Sequence, residues 1–109
     1  MSQRHECPCA PECALQRALD SIGGKWKLPV LCALTQNGRS RYNELLHSVH
    51  GISNTMLSQT LKELERDRLI LRREYLEVPV RVEYELSEKA RKLRPIIVDL
   101  IRWSLEPVD

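Results

Sequence analysis

The chain has 109 residues, 42% of them hydrophobic and 29% charged, with a net charge of +2; this is the size of one ordinary domain with a single core. The composition is globular rather than disordered, and no apolar run approaches the roughly 20 residues that span a bilayer. There is no glycine-rich phosphate loop, no recognisable paired-carboxylate site and no C-x-x-C motif, which argues against nucleotide-dependent, acid–base and thiol-oxidoreductase enzymes.

The start, Met1 to Glu6, is polar and lacks the apolar stretch of a secretory signal, so a cytoplasmic protein is expected. Residues 1–12 carry Pro8 and Pro11 among polar residues and read as a flexible, cysteine-rich arm. From Ala14 the pattern becomes helical: Ala14, Leu15, Ala18, Leu19 and Ile22 recur on one face, and Gly23 and Gly24 stop the helix. A second helix is expected from about Lys25 to Gln36, with Trp26, Val30, Leu31 and Leu34 inward and Pro29 within its first turn. The run from Arg41 to Val49 predicts a short helix, and Gly51 a turn. Ser53 is a good N-cap for a longer helix through about Arg68, with Leu57, Leu61 and Leu64 as its inward stripe.

After Leu69 the period changes to two. Ile70 to Leu76 and Val80 to Leu86 read as strands around a turn at Glu77, Val78 and Pro79. Ser87 then caps a short helix, and Pro95 is expected at the first position of a last one carrying Ile96, Ile97, Leu100, Ile101 and Leu105. A leading helix, three more helices, a hairpin and C-terminal helices give a mainly α fold with a small β-hairpin wing, in winged helix-turn-helix order over residues 13–109.

In such a motif the second helix enters the major groove, and here it has a polar side besides its leucine stripe. Thr55, Ser58, Gln59 and Lys62 share that side, with Asn54 at its exposed start. Gln and Asn can pair with adenine edges, and Ser or Thr with bases or phosphates. Taken alone the same residues read as a solvated face; a preceding helix and a following wing favour a double-stranded DNA operator as partner. Between Gly23 and His50 the local charge excess is three, and Arg39 and Arg41 there are candidates for phosphate contact. Arg72 and Arg73 lie on one strand of the hairpin and Arg81 on the other, where a guanidinium can pair with phosphate.

The runs CALQRALDSIGGKWKLPVL, RYNELL, GISNTMLSQTLKELERDRLI and EVPVRVEYELSEKARKLRP, in that order, resemble the HxlR family of bacterial and archaeal regulators, relatives of the MarR group. The resemblance covers about Cys13 to Trp103. It implies a sequence-specific transcriptional regulator, a repressor, that binds a palindromic operator as a homodimer through its first and last helices. It also supports Arg81 as a wing contact. Cys13 matches the family's lone N-terminal cysteine, and the resemblance implies a thiol sensor of oxidants or electrophiles; a position at a helix start favours the thiolate.

Cys7 and Cys9 are extra to that pattern and could resolve an oxidised Cys13 as a disulfide. With His5 the three also make four potential zinc ligands, but the spacing lacks the two-residue gap of common zinc turns, and no metal or other cofactor is assigned. Cys32 reads as a buried small hydrophobe, and His47 and His50 as surface residues. The alternative function is a winged-helix module for protein interaction or zinc binding, without operator-specific DNA recognition.

Overall fold

The computed structural model describes residues 13–108, so the arm with His5, Cys7 and Cys9 lies outside the described residues. Six helices and three strands run in the order α1 (Ala14–Ile22), α2 (Lys27–Asn37), β1 (Ser40–Arg41), α3 (Tyr42–Ser48), α4 (Asn54–Arg66), β2 (Ile70–Tyr75), β3 (Arg81–Leu86), α5 (Glu88–Arg91) and α6 (Leu93–Ser104). This is a winged helix: α2, α3 and α4 form the helical half, and β2 and β3 form the wing.

The core is built where three helices meet the base of the wing. Val30, Leu31 and Leu34 of α2, Leu45 of α3 and the stripe Leu57, Leu61 and Leu64 of α4 are buried with Ile70 and Leu86. Full burial of a leucine contributes about 1.5 to 3 kcal/mol, so these residues dominate the stability of the domain. Gly38, at φ 74°, ends α2, and Gly51, at φ 84°, makes the turn between α3 and α4. Both conformations are ones that side-chain-bearing residues rarely adopt.

Polar caps set the phase of the later helices. The Ser53 hydroxyl accepts from the Met56 N–H at 3.1 Å, and the Ser87 hydroxyl from the Ala90 N–H at 3.2 Å. The helix α4 stops at Arg66 rather than Arg68 because Arg68 takes a positive φ of 62°. There the Arg68 N–H bonds to the Glu65 carbonyl at 3.0 Å and the Leu69 N–H to the Leu64 carbonyl at 2.9 Å. That pair of bonds is a Schellman turn, and it sends Leu69 and Ile70 inward at the start of the wing.

Four expectations need correction. The sheet has three strands, in the order β1-β3-β2, because Ser40 and Arg41 pair with Tyr84 and Glu83. The second helix begins at Lys27 rather than Lys25. Pro95 is the third residue of α6, not the first, a position where its missing N–H has no partner to lose. Cys32 is half-buried rather than fully enclosed.

Neither α1 nor α6 contributes a buried residue. Leu15 and Leu19 on α1, and Ile96, Leu100, Ile101 and Trp103 on α6, are each about half exposed or more. The two helices touch the core only at their inner ends, through Ile22 and Leu93. Among the described residues no helix is long and apolar enough to cross a membrane.

Candidate nucleic-acid interface

Three buried leucines on one side of α4 leave its other side facing outward. There Asn54, Thr55, Ser58, Gln59, Lys62, Glu63 and Arg66 line one shallow depression of about 620 Å³. The five candidates from α4 are therefore brought together on one surface, and Glu63 and Arg66 join them. Sequence reasoning passed over these two because a Glu and an Arg at the end of a polar helix face look like ordinary solvent-facing charges; their i+4 and i+7 spacing from Gln59 was the available signal.

Local contacts hold part of this face still. The Tyr42 hydroxyl stands 2.9 Å from Asn54 Oδ1 and 3.0 Å from the Asn54 carbonyl, and it shares a hydrogen bond of 3.2 Å with the Ser58 hydroxyl. Tyr42 is the first residue of α3, so the first helix of the motif braces the start of the second. Gln59 Nε2 donates to Glu63 Oε2 at 3.1 Å, whereas Thr55 and Lys62 are exposed.

The arginines of the wing lie on the strands expected of them, and neighbouring side chains engage them. Arg81 donates to Glu83 at 2.6 Å and to Glu77 at 2.9 Å, and its guanidinium stacks 3.8 Å over the Tyr75 ring. It is thus tied into the hairpin that it was expected to project from. Arg72 donates to Glu74 at 2.8 Å, Arg73 is bonded to Glu85, and Arg39 reaches the Tyr75 hydroxyl at 2.8 Å. The hydrogen bond from Arg81 holds the Glu77 carboxyl below the ordinary glutamate range, and that from Arg73 does the same for Glu85. Arg41, on β1, remains exposed.

Cys13 is the N-cap of α1, its sulfur 3.4 Å from the Gln16 N–H. Its sulfur therefore occupies the place an oxygen usually takes at a helix start. His47 and His50 are exposed at the end of α3, and no group of metal-ligating side chains occurs among the described residues.

Residues 21–109 match the family described as HxlR-like helix-turn-helix. The regulatory protein MalR of Fusobacterium mortiferum is 42% identical over 95 residues, which is 87% of this chain and 90% of that protein. Among solved structures, the redox regulator HypR in its oxidized form superposes with a TM-score of 0.78 at 37% identity, covering 89% of this chain and 99% of HypR. The reduced form of the transcriptional regulator YodB from B. subtilis gives a TM-score of 0.77 at 31% identity, over 87% of this chain and 95% of YodB. The family match, the similar relative and the superposed structures agree: the chain belongs to the HxlR-like helix-turn-helix family of transcriptional regulators.

Proposed function

We propose that the protein is a homodimeric repressor that reads a palindromic operator with α4 and is switched by thiol chemistry at Cys13. The observation that carries the DNA reading is the outward side of α4, where Asn54, Thr55, Ser58, Gln59 and Lys62 share one open depression. Gln59 and Asn54 suit adenine edges, Ser58 and Thr55 suit bases or phosphates, and Lys62 suits a phosphate. Arg41 is the exposed backbone contact beside the motif. Arg81 and Arg72 join the interface only by leaving their glutamate partners in the wing.

The apolar residues of α1 and α6 support a two-fold interface, since a second copy would cover Leu15, Leu19, Leu100, Ile101 and Trp103 together. Two copies would hold two recognition helices at neighbouring half-sites about one helical turn apart. The cap position of Cys13 supports the switch, as does the likeness to a redox regulator. An oxidant that joins Cys13 to a second thiol, taking two electrons and two protons, would disturb the start of that same helix.

The test is selection of bound sequences from random duplexes, followed by binding measurements across salt. The expected result is an inverted repeat, with affinity falling steeply as salt rises. Recovery of no preferred sequence and a flat salt response would favour the module for protein interaction instead.

A further inference from the structure

Among the described residues Lys27 is the only charged one that is buried, at 9% exposure. A buried ammonium is costly unless it is paired and hydrogen-bonded. Lys27 Nζ donates to the Asp20 carbonyl in the last turn of α1 at 3.1 Å, and it stands 3.7 Å from Glu63 Oε1 on α4. The other oxygen of that carboxylate, Oε2, accepts from Gln59 Nε2 at 3.1 Å. The end of α1, the start of α2 and the polar face of α4 are thus joined by three polar contacts.

The chemistry of the middle group gives this chain a direction. A carboxylate only accepts hydrogen bonds, so Gln59 must present its NH2 group to Glu63 and cannot turn its amide over without losing the bond. Its carbonyl oxygen and second N–H are left for a base edge. Pairing of Gln with adenine uses one donor and one acceptor in a set order, donor to N7 and acceptor from N6. An amide free to turn over offers the reverse order equally well.

We infer that Lys27 and Glu63 are a positioning pair: Lys27 anchors the Glu63 carboxylate, Glu63 fixes the orientation of the Gln59 amide, and base choice under Gln59 therefore depends on the end of α1. The inference rests on α4 being the recognition helix. Lys27 and Glu63 act through Gln59 and need not touch DNA themselves.

The experiment is a double-mutant cycle on base preference. Binding of the selected operator is compared with its single-base variants at every position of one half-site. Gln59→Ala first defines the base pair that Gln59 reads. Glu63→Gln, which keeps size and hydrogen bonding but can turn its own amide, is expected to reduce discrimination at that base pair about fivefold and to leave other positions unchanged. Lys27→Met should do the same, and Lys27→Arg should retain the parent's preference. In the Gln59→Ala background neither Glu63→Gln nor Lys27→Met should add a further change.

If Gln59→Ala alters one base position while Glu63→Gln does not, the positioning pair is overturned and the recognition helix stands. Equal effects of Glu63→Gln with and without Gln59 would also overturn it, since its action would not pass through that side chain. If Gln59→Ala itself shifts no base preference, the assignment of Gln59 fails and the inference falls with it. The surface position of Glu63 keeps the test informative even where Lys27→Met fails to fold.

Discussion

Ser58 and Gln59 stand in one depression on α4 but are held differently, Ser58 by Tyr42 and Gln59 by Glu63. Replacing either by alanine removes a group suited to base edges and leaves the buried leucines on the opposite side intact. Ser58→Ala and Gln59→Ala should each weaken discrimination by about 1 to 3 kcal/mol at one base pair, with unchanged thermal unfolding. Retention of the parent's affinity and selectivity on selected operators would remove both from the interface. Lys62 and Arg81 separate by the same kind of logic. Lys62 is exposed, whereas three N–H donors of Arg81 are engaged by Glu77 and Glu83. Lys62→Ala should therefore lower the logarithmic salt slope by about 0.9, the value of one phosphate contact, and Arg81→Ala should leave it near the parent's. A reduced slope in Arg81→Ala would show that the wing releases this arginine to DNA.

At the scale of the elements, the wing depends on ion pairs and the outer helices on apolar surface. Glu77 and Glu85 are both held below the ordinary glutamate range by arginine hydrogen bonds. A depressed folded value means that the stabilisation is present at neutral pH and is lost as pH falls through it, below the usual glutamate range near about 4.3. Backbone amide resonances of β2 and β3 should accordingly shift only as the pH falls below that range and the pairs are lost. Hairpin resonances that stay constant there would show that these pairs do not support the wing. For α1 and α6 the exposed leucines and isoleucines make a different prediction: the protein should sediment at micromolar concentration at twice 12.7 kDa. Leu19→Glu and Ile101→Glu, each about half exposed in the single chain, should give folded monomers that bind operator far more weakly. A parent that sediments as a monomer and still binds tightly would end the dimer proposal.

The described part of the chain is more extended than its length requires. Its Cα radius of gyration is 16.3 Å, against about 13 Å for a compact chain of this size. The excess fits a domain from which α1 and α6 stand away, touching the core only through Ile22 and Leu93. Cys13 begins one of these helices, and Lys27 binds the other end of the same helix to α4. A change at Cys13 would thus act on an element linked to the polar face of α4. Diamide treatment should change the operator affinity of the parent at least several-fold, reductant should restore it, and Cys13→Ser should not respond. Constant affinity of the parent while its thiols are demonstrably oxidised would refute the switch.

Much of this was legible in the residue order, and the division follows the range of the forces. Helix faces, the Ser53 and Ser87 caps, the Gly51 turn and the leucine stripe of α4 depend on neighbours a few positions apart, so periodicity and cap chemistry were sufficient to place them. The same stripe located the polar side of α4, since a helix that buries one face must expose the other. The third strand was invisible because two residues carry no alternation to read; Ser40 and Arg41 become a strand only when β3 lies beside them. Arg81 looked available for DNA although Glu77 and Glu83 lie only four and two positions away, because it is the hairpin turn that aims its guanidinium at them and brings Tyr75 against it. Arg39 and Glu85 meet across 46 positions, and Lys27 finds Glu63 only once α2 and α4 have packed. Local residue order thus carried the helices, the hairpin and the polar face of α4. Packing was needed to bring together distant charges such as Lys27 with Glu63 and Arg39 with Glu85, and to leave α1 and α6 uncovered, because those outcomes depend on contacts between segments that chain order does not bring together.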